Sequence, residues 1–274
     1  MCHACVTGAV KARMLSRRDF FRASAGGAAA AAVAGGALLG AAPAALAQGA
    51  GRVVDLTHTH SPEFPTFGGA PGLRFDKQFD FEADGYNLYE LTIDEHTGTH
   101  IDAPLHFSAD GTSVDELPLS QLVVPLCVID IRARAAEDRD TQVTPDDLAA
   151  WIAAHGPIPD NACVAMNSGW AARVGEASFR GDAEGLHFPG FHIEATRMLL
   201  EETQAAVMAV DTLSLDHGPS PDFATHYAWL PSGRYGIECI AGLDDVPAAG
   251  ATLVVGAPKF RGGTGGPARV LALV

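Results

Sequence analysis

The sequence predicts a mixed fold, α/β or α+β, and three observations support that prediction. Of the 274 residues, 47% are hydrophobic and 19% are charged, which suits a packed core and excludes a disordered chain. Strand-like and helix-like segments are interspersed along the chain, and the strand-like ones are more numerous. The formal net charge of -15 argues against a nucleic-acid-binding protein.

Strands are predicted where apolar or alternating runs are bounded by turn residues. The predicted strands are residues 52–56, 87–94, 123–131, 162–167, 205–211, 235–241, 252–256 and 269–274. Three of these runs enclose Cys127, Cys163 and Cys239, an odd number of cysteines in the part of the chain after residue 47. We therefore expect buried free thiols rather than a disulfide framework.

Two helices are predicted among these strands. The first begins after Thr144, with Pro145 at its first position and Asp147 placed to complete a capping box, and it ends before Gly156. The second covers residues 190–203, where apolar side chains recur on one side.

The amino-terminal segment is interpreted as an export signal rather than as part of the core. Residues 16–22 form a twin-arginine pattern, and residues 23–47 carry no charge. Ala45 and Ala47 supply the small side chains of a signal-peptidase site. The sequence thus predicts a twin-arginine signal peptide over residues 1–47, passage through the twin-arginine export machinery, and a periplasmic or secreted protein.

Two alternatives stay open for this segment. Residues 23–47 are long enough to span a bilayer, so a membrane anchor competes with the cleaved signal, although Ala and Gly are weakly apolar. Met14 competes with Met1 as the start, which would leave Cys2, His3 and Cys5 untranslated. We expect one domain over residues 48–274, with no stable membrane anchor after cleavage.

One stretch, residues 96–107, concentrates the chemistry. It contains three imidazoles and a carboxylate: His96, His100, Asp102 and His106. Their even spacing places them on one face of a strand, whereas a helix would put them on opposite faces. A straight strand would separate His96 from His106 by roughly 33 Å, too far for one metal cluster. The chain must therefore bend, and Gly98 and Pro104 are the residues that allow it.

Nitrogen and oxygen donors without thiolate suit zinc, manganese or iron(II), and a carboxylate can bridge two ions. The sequence therefore predicts a site for one or two divalent metal ions. Chance clustering of histidines, or histidines that only stabilise a loop, is the alternative. Four donors around a Gly-Thr turn favour the metal site.

The pattern His-x-Gly-Thr-His-x-Asp-x-Pro-x-His-Phe resembles the signature of the metal-dependent cyclase family, which includes bacterial kynurenine formamidase (arylformamidase) and isatin hydrolase. The resemblance begins at residues 53–58, takes in 210–216 and reaches 236–243. It implies a swivelling β/β/α-type single domain and a homodimer or homotetramer.

The resemblance also implies a ligand set and a proton carrier. The implied metal ligands are His96, His100, Asp102, His226 and Glu238. Asp102 would bridge two ions, zinc or manganese, and His106 corresponds to the family's proton donor and acceptor. From the residues alone, Glu238 lies in an apolar strand pattern, where an inward-facing acid needs a cation or a hydrogen bond. A solvent-facing Glu on an edge strand is the alternative.

The implied reaction is hydrolysis of a C–N bond in a small aromatic amide, formamide or lactam by metal-activated water. Phe64, Phe67 and Trp170 are candidate substrate-binding residues, with a core position as the alternative for Trp170. Kynurenine formamidases often carry a Trp in the loop that holds Phe64 and Phe67 here, so N-formylkynurenine is a doubtful substrate. Three further polar residues are candidates for orienting the metal ligands through hydrogen bonds: Asp211, Ser214 and Asp216.

Two other functions fit the same sequence. One is a metal-dependent lactonase, cyclase or dehydratase acting on a small carbonyl compound. The other is an exported metal-binding or ligand-binding protein without catalysis. His106 argues against the second of these, because a site built only for binding needs no proton carrier.

Overall fold

A computed structural model describes residues 51–274, which fall into two compact units. One is residues 75–91, and the other joins residues 51–74 to residues 92–274. The predicted signal peptide and the Cys2, His3 and Cys5 cluster lie outside the described residues.

The described part of the chain forms fifteen strands and five α-helices. The strands are β1 (Val53–Asp55), β2 (Leu73–Phe79), β3 (Leu88–Ile93), β4 (His100–Asp102), β5 (Val123–Asp130), β6 (Gln142–Val143), β7 (Cys163–Asn167), β8 (Gly181–Asp182), β9 (Gly185–Leu186), β10 (Gly190–Phe191), β11 (Val207–Val210), β12 (Tyr235–Glu238), β13 (Ala251–Gly256), β14 (Gly265–Pro267) and β15 (Arg269–Leu273). The helices are α1 (Phe81–Asp84), α2 (Arg132–Glu137), α3 (Pro145–His155), α4 (Ile193–Glu202) and α5 (Ala224–Trp229).

A nine-stranded mixed sheet is the frame of the larger unit, in the order β1-β15-β13-β5-β7-β11-β12-β4-β14. Neighbours among β5, β7, β11 and β12 are parallel, and the other pairs are antiparallel. Every residue of β7 and β11 is buried, as expected for parallel strands covered on both faces. The predicted mixed class is confirmed.

The two faces of this sheet contribute to two separate cores. In β5, Leu126 and Val128 pack into a core formed largely among the strands. The alternate residues, Cys127 and Ile129, pack into a second core with side chains of α3, α4 and α5. Trp229 on α5 belongs to the second core, so α5 is held firmly against the sheet.

The eight predicted strands are present, and their ends differ from the prediction by at most three residues. The first predicted helix is confirmed as α3: the Asp147 carboxylate accepts a hydrogen bond from the Thr144 amide at 2.7 Å and completes the capping box. The second begins at Ile193 rather than at residue 190. His192 caps it, because its Nδ1 accepts a hydrogen bond from the Glu194 amide at 3.2 Å.

The smaller unit contains most of β2, all of α1 and the start of β3, and β2 and β3 pair in a two-stranded sheet. The Asp80 side chain caps α1, and Gly85 ends it in the left-handed conformation. Several large apolar side chains of this unit are exposed: Phe75, Phe81, Leu88, Tyr89 and Leu91. Across residues 51–274, no helix combines the length and the apolar character that crossing a membrane requires.

Candidate metal centre

The short strand β4 brings the predicted donors together, because it lies between β12 and β14 in the sheet. Its antiparallel pairing with β12 places Glu238 opposite His100 and Gly236 opposite Asp102. His100 and Asp102 are two residues apart on the strand, so their side chains point to the same face. Sheet pairing thus places Glu238 beside two residues that are far from it in sequence.

Five side chains converge at this place. His100 Nε2 lies 3.3 Å from Asp102 Oδ1 and 3.4 Å from Glu238 Oε2. His226 Nε2 lies 3.5 Å from Asp102 Oδ2 and 3.1 Å from Glu238 Oε1. His96 Nδ1 lies 2.6 Å from Asp102 Oδ1. All five residues that the sequence analysis nominated as metal ligands are therefore in one cluster.

Two sharp changes of chain direction flank β4, at the positions where the sequence requires a bend. Gly98 has φ +61°, and a Cβ there would lie 1.2 Å from His60 Nε2, so only glycine fits. Its carbonyl accepts a hydrogen bond from His100 Nδ1 at 2.8 Å, which leaves Nε2 for the cluster. Pro104 begins a 3₁₀ turn over Pro104–Phe107 and brings the His106 ring to 3.7 Å from the His96 ring.

His226 is held by Asp216, which acts on both its backbone and its ring. The Asp216 carboxylate accepts hydrogen bonds from the backbone amides of Thr225 and His226 at the start of α5. Its Oδ2 also lies 2.6 Å from His226 Nδ1, so the ring presents Nε2 to the cluster. The sequence analysis had named Asp216 as a candidate for this supporting role.

Burial and charge set the protonation of the cluster. Burial and the neighbouring Asp102 charge raise the pKa of Glu238. Burial also acts to raise the pKa of Asp102, but attraction from the cluster imidazoles outweighs it and holds that pKa well below its usual range. These carboxylates raise the pKa of His100 to about 9 in spite of its burial, and that of His226 well above its usual value. Burial lowers the pKa of His106 to about 4, so its imidazole is neutral near pH 7.

The cluster fits a divalent metal ion. His100 Nε2 and Asp102 Oδ2 are buried without a hydrogen-bond partner, although both point into the cluster. Asp102 and Glu238, exposed by only 1% and 5%, are two buried acids that need compensating positive charge. Imidazole nitrogens and carboxylate oxygens are ligands that zinc and manganese accept. The residues present therefore suit one or two such ions.

A cavity of about 250 Å³ opens onto the cluster. His96, His100, His106, His226 and Glu238 line its polar end. The rest of the wall is mainly apolar and includes Pro65, Phe67, Phe107, Leu213 and Phe223, and no Lys or Arg is among the described residues that line it. The arrangement places an apolar wall beside the cluster of imidazoles and carboxylates.

The structure places one of the three nominated substrate-binding residues along the cavity and the other two in a core. Phe67 lines the cavity. Phe64 and Trp170 instead belong to a buried cluster with Phe179 and Phe188, and the Trp170 indole donates to the Phe179 carbonyl at 2.8 Å. The core alternative for Trp170 therefore describes its position, and Phe64 also packs in the core rather than along the cavity.

Sequence reasoning missed two aromatic residues of the cavity wall. Phe107 is the last residue of the histidine-rich motif, and its ring lies 4.7 Å from the His226 ring. Phe223 is three residues before His226, and no local pattern marks it. Only the His226 assignment could have drawn attention to it.

The chain is similar to known proteins over most of its length. A family described as "Putative cyclase" matches residues 54–217. An isatin hydrolase of Roseibium aggregatum is 33% identical, covering 84% of this chain and 95% of that protein. A kynurenine formamidase of Salinibacter ruber is 29% identical, and the match covers 68% of this chain and 79% of that protein. The solved structure of an isatin hydrolase bound to the product analogue thioisatinate has a TM-score of 0.78 at 30% identity, covering 95% of this chain and 99% of that one.

Proposed function

This chain belongs to the cyclase family, and we propose that it is a metal-dependent hydrolase that cleaves a C–N bond of a small aromatic amide, formamide or lactam. The observation that carries this proposal is the cluster of buried imidazoles and carboxylates at the end of an apolar cavity. The similar proteins are named as an isatin hydrolase and a kynurenine formamidase.

We propose that His96, His100, Asp102, His226 and Glu238 hold the metal, as one or two ions of zinc or manganese per chain. A bound divalent ion supplies Lewis acidity, which polarises a carbonyl group and acidifies water. The protein orients two of the donor rings, through the Gly98 carbonyl on His100 and the Asp216 carboxylate on His226.

His106 carries the proton in this proposal. Its imidazole stacks on His96 and lines the cavity, so it reaches the place where a substrate meets the metal ligands. Because the ring is neutral near pH 7, a ring nitrogen can accept the proton that the attacking water loses. The imidazolium then returns that proton to the departing nitrogen as the C–N bond breaks, so the reaction consumes one water and leaves His106 neutral.

The cavity favours an uncharged aromatic lactam, such as isatin, over N-formylkynurenine. The latter carries an α-carboxylate and an α-ammonium group, and charged groups gain nothing from contact with an apolar wall. The described residues that line the cavity include no Lys or Arg. Phe67, Phe107 and Phe223 instead offer faces on which a fused ring can pack.

A substrate panel on the purified protein tests this function. Hydrolysis of isatin, N-formylkynurenine and an aryl lactone is followed before chelation, after chelation and after metal is restored. We expect isatin to be cleaved fastest, with loss of turnover on chelation and recovery with zinc or manganese. Turnover that survives complete removal of metal would overturn the proposal.

A lactonase, cyclase or dehydratase acting on a small carbonyl compound is the second candidate. It is favoured by the description of the matching family as a cyclase. The same panel separates the two functions, because this alternative predicts that the lactone is cleaved while both C–N substrates survive.

We also propose that the protein is a homodimer or homotetramer. The exposed apolar side chains of residues 75–91 support this, because soluble monomers rarely leave such a group uncovered. Light scattering on the wild type and on a Phe75→Ser, Leu91→Ser variant is the test. A monomeric wild type would contradict the proposal.

Export through the twin-arginine machinery to the periplasm is a further proposal, supported by the pattern at residues 16–22 and the uncharged stretch after it. Cell fractionation tests it, with an Arg17→Lys, Arg18→Lys variant as the control. We expect the wild type in the periplasm and the variant in the cytosol. Wild type found in the cytosol with residues 1–47 attached would contradict export.

A further inference from the structure

Phe223 adopts a backbone conformation that bulky residues rarely occupy. It has φ 51° and ψ 42°, in the left-handed region, and it immediately precedes α5. Within residues 51–274, the non-glycine residues with positive φ are Asn161, Phe223 and Cys239. Asparagine tolerates this conformation, whereas for phenylalanine it is an outlier. Phe223 and Cys239 both line the cavity, so two residues with a strained left-handed backbone lie at this site.

The surrounding structure holds Phe223 in this conformation. Its amide donates to Ser220 Oγ at 3.2 Å, and its carbonyl accepts from the Tyr227 amide at 3.0 Å. Asp216 fixes two amides in the first turn of the helix, those of Thr225 and His226. The backbone of Phe223 is therefore fixed to the same helix end that carries a metal-binding imidazole.

The ring of Phe223 joins the aromatic side chains of the cavity wall. Its centroid lies 5.7 Å from that of Phe67, 5.8 Å from that of Phe107 and 5.8 Å from that of His226. Phe67 and Phe107 come from distant segments of the chain, and the Phe223 ring contacts both of them. A residue that relieved the strain, such as Asn or Gly, would leave this wall without its central ring.

We propose that Phe223 is a specificity-determining residue: its ring forms the wall on which the aromatic ring of the substrate packs beside His226. The inference rests on the proposed hydrolase function and adds a residue that selects fused aromatic lactams over aliphatic ones. The left-handed backbone of Phe223 places the ring at this wall. The Phe223 ring affects how tightly the aromatic ring of the substrate binds. It does not contact the reacting carbonyl and nitrogen, which lie beside the metal ligands and His106 in this proposal.

Two lactams with the same reacting group test this assignment: isatin, and the aliphatic pyrrolidine-2,3-dione. Phe223→Leu is compared with wild type and with Phe260→Leu, a matched control in which an exposed phenylalanine ring outside the cavity lining is removed. We expect Phe223→Leu to raise KM for isatin about fivefold to tenfold with kcat nearly unchanged, and to leave the aliphatic lactam within about twofold. Phe260→Leu is expected to leave KM and kcat for both lactams unchanged.

Further variants and a binding measurement keep the test decisive. Phe223→Asn relieves the left-handed strain and still removes the ring, so it gives the same loss of preference if Phe223→Leu fails to fold. Metal content is measured on each variant and is expected to match wild type. Equal effects on both lactams, or no effect on either, would overturn the inference. If wild type cleaves neither lactam, the proposed function fails, and the ratio of the two Kd values across the same variants still decides the role of Phe223.

Discussion

Replacement of Asp102 by Asn is expected to abolish most of the stability that the protein gains from metal. The carboxylate is 1% exposed and has an imidazole nitrogen on each of three sides: His96 Nδ1 at 2.6 Å, His100 Nε2 at 3.3 Å and His226 Nε2 at 3.5 Å. Asn keeps the shape and removes the negative charge, and its amide group brings a donor to a place where the ion needs an acceptor. The substitution therefore affects binding of the ion more than packing.

The size of the effect follows from linkage between binding and folding. Loss of even an outer contact to a metal ligand weakens binding by about 10–100-fold. At a free metal concentration about 100 times Kd, the ion stabilises the wild type by about 2.7 kcal/mol. A 100-fold weaker site retains about 0.4 kcal/mol at that concentration, so about 2.3 kcal/mol is lost. For a domain of this size the loss corresponds to about 5–9 °C in Tm.

Thermal unfolding with and without zinc or manganese measures this quantity. The comparison is the metal-induced rise in Tm for each protein, so any change in the metal-free stability of the variant cancels. Asp130→Asn is the matched control, because its carboxylate is about half exposed and pairs with Arg132 at the surface. A metal-induced rise in Asp102→Asn as large as that of wild type would refute the assignment of Asp102 as a ligand.

Three further predictions concern the proton carrier, the bend and a buried acid. His106→Ala should keep its metal content and lose about 10²–10⁴-fold in kcat, whereas His155→Ala, at an exposed helix end, should match wild type in both assays. Gly98→Ala should lose metal binding and lower Tm, because the added Cβ would lie 1.2 Å from an imidazole nitrogen. Gly156→Ala is its control: the backbone φ is also positive there, but the added Cβ meets open space. This control should lower Tm modestly and keep the metal. Burial raises the pKa of Asp211 from 3.8 to about 6, so the folded state favours the protonated acid and the stability falls as the pH rises through this interval, by about 3 kcal/mol in total. Urea unfolding at pH 4.5 and 7.5 should show this part of the pH dependence in wild type and not in Asp211→Asn; equal dependence in both would contradict the argument.

The bent course of the histidine-rich stretch, residues 96–107, could be predicted from the sequence because its constraints are local. The even spacing of His96, His100 and Asp102 is compatible with one face of an extended chain, and it fits a compact site only if the chain bends. Gly98 and Pro104 supply the bends, and the structure places both of them at changes of chain direction. Spacing and backbone chemistry within a dozen residues were sufficient here.

The other half of the site depends on contacts that no local pattern encodes. Glu238 reaches His100 only because β12 pairs with β4, and that register is set by the whole sheet. From the residues alone a solvent-facing Glu was an open alternative, and the resemblance to the cyclase family was needed to select Glu238 and His226. Phe223 had no signal, because its position depends on a strained turn before a short helix.

Elsewhere, tertiary packing decides between positions that the composition leaves open. Phe64 and Trp170 lie beside plausible pocket segments, yet both are buried in a core with Phe179 and Phe188. The strand β2 was not predicted, because it is a mostly exposed strand with charged residues among its apolar ones. An aromatic residue near a site motif is therefore a weak predictor of substrate contact.

The most direct test of the central claim is a metal titration of the chelated protein, with isatin hydrolysis followed at each addition of zinc or manganese. We expect activity to rise in proportion to bound metal and to level off at one or two ions per chain. The Asp102→Asn variant should need far more metal to reach the same fractional activity. Full hydrolysis by protein that holds no metal would contradict the account.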